Sequence, residues 1–549
     1  VLYVWLEQLL ARGDYRRKLV ASGATRTPLP PPIDEQAETT DEIEATMPRL
    51  RQISSSPPRA TSQNAVGQNA QLAAYIPHET PSATDATGVT GDIAGVATTE
   101  QRPPRTRLGV NAETTTVTAS TNANVVRLPP WAMMLIAALV AWALIVSRRP
   151  DALFNAQFWA EDGVWFSQAY NLGSLPALLI PNVGYLSLIP RLTAALAMLF
   201  PLLYAPLIFN VVGIVFQSLP AVFLFSGRFD EIVPSLPLRV LLGFLYVALP
   251  NSFEVNATIT NTQWHLAVLT CMIAIAAIPR SIAGKAFDIS IILLSGLSGP
   301  FCVALAPILV LRWWIERREP REHGRYIIAL FVANAITIGV QGWTYLSVTA
   351  TTSRVHPSLG ASPVELARIL AGQVFVGAIV GVNEFTRIAY HSWWATNKLV
   401  VVIAAGGLLF FGLALWKGSN PLRLFILYAG LVFGLCLISP LTAGPTPAWV
   451  QLASPGAGVR YDYIPMVAFV VVLVWLLSRR RPAVLPMAGA LALMVMLLVG
   501  IPSDWQYPAY PNLHYNTYVA EFNAAPVGSN VVFPINPQNW SFTLHKHAP

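Results

Sequence analysis

Of the 549 residues, 54 % are hydrophobic and only 11 % charged, where a water-soluble domain carries about 25 % charged residues. So few charges cannot clothe a soluble surface, and most of the chain must sit in lipid. The net charge of +7 resides mostly in short connections between apolar runs, which fits membrane topology and excludes a nucleic-acid partner. Cys271, Cys302 and Cys436 fall inside apolar runs, so they form neither a disulfide framework nor a thiolate metal site.

The chain divides near residue 128. Residues 1–127 are rich in Ser, Thr, Ala, Pro and Gln, with near-balanced charges. Beyond a short helix over Leu2–Val20, they carry no period that could bury a core. Residues 21–127 therefore read as a disordered cytoplasmic tail. From 128 to 501 the pattern predicts an all-α, polytopic transmembrane bundle, since a spanning helix needs about 17–25 apolar residues. Spans are expected near 131–147, 206–226, 238–250, 264–279, 326–345, 397–416, 421–440, 463–478 and 483–501. The run 286–311 is broken by Ser298-Gly299-Pro300 and reads as a hairpin of two short helices. Residues 186–200, punctuated by Pro190 and Pro201, read as an interfacial helix. Residues 502–549 form a short outer appendage.

Placing the Arg- and Lys-rich connections in the cytoplasm gives about eleven crossings. The connections 148–185, 251–263, 346–396 and 441–462 then lie outside, together with the segment after 501. Arg148 and Arg149 also fall outside, against the charge rule. The span centres hold essentially no ionisable group; Asn210, Gln217, Asn334 and Gln341 are their notable polar residues.

Four outer stretches carry the candidate chemistry. In Phe158-Trp159-Ala160-Glu161-Asp162-Gly163, two adjacent carboxylates sit among aromatics. Desolvation and like charge both raise a carboxyl pKa, which suits a general base. Alternatively, Asp162 caps a surface helix that begins at Gly163. The second stretch, Asn251 to His265, is dense in amides and hydroxyls. Glu254, Asn256, Asn261, Gln263, Trp264 and His265 could bind sugar hydroxyls and pyranose rings; Trp264 alone could equally be an interfacial anchor. In the third, Arg460-Tyr461 stands where a Gly-rich loop enters a span. Arg460 suits phosphate, or else pairs with Asp462 or a lipid headgroup. The fourth, Ser295–Phe301, reads as a turn. His356 and His391 have no metal-ligand spacing and read as solvated loop residues.

One span followed by an outer loop with an acidic pair resembles the GT-C superfamily of polytopic glycosyltransferases. That superfamily includes the protein O-mannosyltransferases and the lipid A aminoarabinose transferases. The resemblance covers roughly residues 130–501 as topology and rests on Glu161-Asp162, with Pro250–His265 and Arg460-Tyr461 as weaker support. It implies a polyprenyl-phosphate sugar donor, an active site on the extracytoplasmic face and inverting transfer to a hydroxyl of a glycan, lipid or protein. Glu161 or Asp162 would be the base and Arg460 the donor-phosphate contact. The His-containing acceptor motifs of the O-mannosyltransferases are not evident, so the acceptor class stays open. No cofactor is called for, and no ligand spacing indicates a divalent metal. Two other classes fit the apolar bulk: a lipid-linked sugar flippase or transporter, and a non-catalytic membrane scaffold. A transporter is expected to place polar groups along its spans.

Overall fold

The computed structural model describes residues 129–182, 184–348, 357–442, 445–479 and 481–548. The expected helix at Leu2–Val20, the disorder of 21–127, and Arg354, His356 and Arg480 lie outside the described residues. The described chain is mostly helical. Its helices of ten or more residues are α1 (Pro130–Arg148), α2 (Asp162–Leu172), α3 (Leu188–Ala197), α4 (Ala205–Phe223), α5 (Leu236–Val247), α6 (Thr262–Ile275), α7 (Ile282–Gly296) and α8 (Cys302–Ile315). They continue as α9 (Arg321–Val348), α10 (Pro363–Ala389), α11 (Asn397–Lys417), α12 (Asn420–Ile438), α13 (Val459–Leu477), α14 (Val484–Ser503) and α15 (Tyr515–Ala524). Two antiparallel strands, β1 (Asn530–Ile535) and β2 (Trp540–His545), close the chain with Phe533 opposite Phe542.

Among the described residues, eight helices are long and apolar enough to cross a membrane, which marks this as a membrane protein. Large apolar side chains such as Trp131, Leu135, Leu139, Val402 and Leu409 lie exposed on α1 and α11, as a lipid-facing surface requires. The centre is α13, whose apolar window is 83 % buried. It packs against α12, α14 and the middle of α10, while α6 is buried between α4, α7, α8 and α12. Helix starts follow local chemistry. Proline occupies the first turn of α4, α5, α10 and α12, where its missing N–H costs nothing. The Ser281 and Ser362 hydroxyls cap α7 and α10 by accepting from Gly284 and Glu365 N–H.

The break predicted between 286 and 311 appears between α7 and α8, and the segment 186–200 contains the short helix α3, below spanning length. Two of the expected spans, 238–250 and 264–279, are the shorter helices α5 and α6, of 12 and 14 residues, and are not among the eight. A further element was not expected. The connection 346–396 contains α10, an apolar helix of spanning length. Its uncharged run is flanked by Arg368 and Glu384 and is too short to register as a span. The helix is also not a straight rod. Gly381 takes φ +83° and ψ 171°, and a Cβ on Gly372 would lie 2.4 Å from the Phe385 ring. In an unbroken helix those two residues would stand about 20 Å apart, so the chain doubles back at Gly381.

The reversal exposes N–H groups at the start of its second arm. The buried Asp504 carboxylate accepts from Val382 N–H at 2.7 Å, Asn383 N–H at 3.3 Å and Asn251 N–H at 2.8 Å. Arg148 does the opposite task. Its guanidinium donates to the carbonyls of Val247 at 2.6 Å and Leu249 at 3.0 Å, at the C-terminal end of α5, and to Asp504 O at 3.3 Å. Arg149 is likewise buried and donates to the Tyr510 hydroxyl. The two arginines that violate the charge rule are therefore internal ties. At the far end of α6, Arg312 donates to Ala274 O at 2.7 Å and Ala276 O at 2.9 Å, and Arg228 pairs with Asp288 at 2.7 Å.

Replacing Asp504 by Ala would leave three buried backbone donors unmatched, at about 1–3 kcal/mol each. The variant should unfold several degrees below the wild type when purified protein is heated in detergent, with Asp504→Asn falling between them. Equal melting of all three proteins would contradict this role.

Candidate functional site

The acidic pair is shaped by the segments around it. Phe158 is buried in an aromatic cluster with Phe166, Phe209, Tyr515 and Phe542. Ala160 N–H donates to Asn536 O at 2.6 Å, and Asn536 N–H returns to Phe158 O at 3.2 Å. A Cβ on Gly163 would lie 2.5 Å from the Phe542 ring and 2.8 Å from Ile535, so the β-hairpin sits directly on the motif. Ala160 takes a left-handed φ of +48°, costing about 1 kcal/mol for a residue with a Cβ.

The two carboxylates after this turn have different surroundings. Asp162 is 0 % exposed. Its Oδ2 accepts from Trp159 N–H at 3.0 Å and its Oδ1 from the Thr260 hydroxyl at 2.7 Å. It does not cap α2. It ties the acidic motif to the connection 251–263. Burial pushes its carboxyl up to about 7; the two hydrogen bonds oppose the shift and the Glu161 charge adds slightly to it. Glu161 is half-buried and makes no side-chain hydrogen bond or ion pair among the described residues.

The second stretch is held from below. The Gln217 amide accepts from Ala257 N–H at 2.7 Å and donates to Asn256 Oδ1 at 2.9 Å. His265 meets Val255 O through Nε2 at 2.8 Å. A carbonyl only accepts, so Nε2 carries the proton and Nδ1 is left as the acceptor, facing the hydroxyls of Tyr246 at 2.8 Å and Tyr463 at 3.1 Å. His265 and Asn256 are thus sealed structural groups and do not face a ligand as expected from the sequence. Buried Asn261 donates to Glu254 O at 2.7 Å.

Glu254 and Arg460 form an ion pair, reinforced by Arg460 N–H donating to Glu254 Oε2 at 3.1 Å. The guanidinium also donates to the Tyr461 hydroxyl at 3.1 Å and lies 4.6 Å from that ring's centre. The partner of Arg460 is therefore Glu254, while the buried Asp462 carboxylate makes no hydrogen bond. Trp264 is buried, its ring centre 4.6 Å from Phe301 and 5.9 Å from Tyr461. The tip between α7 and α8 enters here as well: a Cβ on Gly299 would lie 2.5 Å from Gln263 Oε1.

These groups meet at Tyr185, which the sequence reading passed over because a lone Tyr in an irregular stretch carries no pattern. Its hydroxyl accepts from Gln263 Nε2 at 3.4 Å. The surrounding protein pushes its pKa up; the Gln263 hydrogen bond opposes this, and the charges of Glu161, Tyr461 and Arg460 also act on it. Tyr185 thus bonds Gln263 and lies close enough to Glu161 and to the Arg460–Glu254 pair for the charges of Glu161 and Arg460 to act on it. The reachable carboxylate can accept a proton, and the phenol and amide can hold a hydroxyl-bearing ligand. Among the described residues, no three His, Cys, Asp or Glu side chains gather as metal ligands. Comparison with known protein families gives no match, and neither does comparison with curated proteins.

Asp162 favours its neutral form in the fold, with a carboxyl near 7 against 3.8 for an ordinary aspartate. Its contribution to stability is complete below pH 3.8 and is lost as pH rises through about 7. Melting curves from pH 4 to 8 should therefore fall more steeply for the wild type than for Asp162→Asn, and parallel curves would refute the shift. Arg460→Ala should destabilise the protein by leaving Glu254 unpaired, and adding Glu254→Gln should restore part of the loss. Denaturation of the single and double variants tests this coupling.

Proposed function

We propose that this protein is a multi-pass membrane glycosyltransferase that moves a sugar from a polyprenyl-phosphate donor to an acceptor hydroxyl on the extracytoplasmic face, with inversion. The observation that carries the reading is the division of labour in the acidic pair. Glu161 is partly exposed, makes no side-chain hydrogen bond among the described residues and is close enough for its charge to act on Tyr185, while its neighbour Asp162 is fully buried. A sugar hydroxyl is a poor nucleophile at neutral pH and needs a base. Glu161 takes the hydroxyl proton as the acceptor oxygen bonds to the anomeric carbon. The bond from that carbon to the phosphate oxygen breaks, and its electron pair leaves with the polyprenyl phosphate. Asp162 is a positioning residue, acting through Trp159 and Thr260. Arg460 borders this region with its charge already met by Glu254, so it serves better to shape the site than to hold the donor phosphate.

The four polar span residues support a transferase over a flippase, because each is engaged with nearby loops or backbone. Asn210 donates to Ala152 O, Asn334 to Cys302 O and Gln341 to Gly296 O, and Gln217 holds the 251–263 connection.

The test is sugar transfer by purified protein in liposomes supplied with polyprenyl-phosphate sugars and candidate acceptors. Glu161→Gln should reduce transfer by about 10²-fold or more, the scale of general-base catalysis, while donor binding and melting temperature stay close to wild type. Wild-type transfer rates in Glu161→Gln would remove the proposed base.

A further inference from the structure

Arg191, on α3, is a buried cation without a counter-charge. It is 2 % exposed, and no carboxylate pairs with it among the described residues. Its Nη1 donates to Gln168 Oε1 on α2 at 2.9 Å and to Ala177 O at 2.5 Å. Those two bonds fix the plane of the guanidinium. Its Nε and Nη2 are both buried and have no partner. Nε and Nη2 together form the edge of arginine that grips a carboxylate or phosphate with two parallel hydrogen bonds. A buried charge left unmatched in this way costs several kcal/mol, and an anion on that edge would offset the cost. The surroundings indicate where the anion comes from. Ala177 belongs to the short helix Ser174–Leu178, which presents Leu175 outward, with Leu172 and Leu179 flanking it; α3 presents Leu192 and Leu196. All five lie exposed in an apolar rim suited to lipid chains.

We propose that the Nε/Nη2 edge of Arg191 is a binding site for a phosphate group carried by a membrane lipid. Entry requires the short helix Ser174–Leu178 to shift, and Gly173 before it, at φ +88°, is the backbone position suited to that movement. The site does not depend on the transfer reaction and is tested by binding alone.

The experiment measures ligand-induced thermal stabilisation of the full-length protein in detergent. The probes are polyprenyl phosphate, phosphatidylglycerol, inorganic phosphate and, as a phosphate-free control, diacylglycerol. The two lipid phosphates should raise the melting temperature and diacylglycerol should not. Stabilisation by the lipid phosphates alone assigns the ligand to the bilayer. An equal effect of inorganic phosphate keeps the phosphate site but assigns a soluble source. Arg191→Met should abolish the ligand effect without lowering the ligand-free melting temperature, because it removes an unmatched charge. Arg191→Lys keeps the charge but loses the fork and should weaken binding about tenfold or more; it also carries the test if the Met variant folds poorly. Undiminished stabilisation in both variants, or none in the wild type with any phosphate, would overturn the site.

Discussion

Each interruption of a helix inside an apolar bundle leaves backbone donors or acceptors that lipid cannot satisfy, and this structure depends on the side chains that replace the missing partners. Asp504 supplies an acceptor to the reversed arm of α10, and Arg148 supplies donors to the end of α5. Arg312 does the same for the end of α6, and Gln217, Gln341 and Gln373 hold loop backbone. Without these ties, the connection 251–263 could not lie buried between helices. The region around Glu161 is assembled from such tied segments.

The same constraint explains charges that look misplaced in a topology diagram. Arginine placement in membrane proteins records two demands: loop orientation relative to the membrane, and the needs of helix ends that face no water. Arg148 and Arg149 answer the second. Their burial against carbonyl and tyrosine oxygens removes them from the count that sets orientation. Arg191 answers the second only in part: Nη1 ties Ala177 O, while Nε and Nη2 are buried without a protein partner among the described residues. A whole Nε/Nη2 edge left open separates it from Arg148, whose nitrogens all donate, and from Arg149, whose only buried nitrogen without a partner is Nε.

The acidic pair shows how burial assigns different work to adjacent, chemically similar residues. A turn at Ala160, held by Asn536 from the far end of the chain, sends Asp162 inward and leaves Glu161 at the edge. Inside, the carboxyl is driven towards its neutral form and crosslinks two loops. At the edge, the carboxylate stays available. The C-terminal hairpin, short as it is, is therefore part of the site's construction and not an independent appendage.

Apolar run length and proline-glycine punctuation determined most helices of the bundle, the break between α7 and α8 and the short α3, because a helix in lipid must declare its length in its own residues. The sequence also marked the acidic motif and the connection 251–263 as exceptional. Three things waited for the tertiary structure. The α10 reversal is hidden because its apolar run is short and its break depends on Asp504, far along the chain. The roles within each motif depend on burial: His265 and Asn256 are sealed, Glu161 is not, and Arg460 pairs with Glu254 instead of Asp462. Tyr185 and Arg191 carry no local signal at all. Their significance comes from which distant groups meet them, and which do not, and that is decided only when the helices pack.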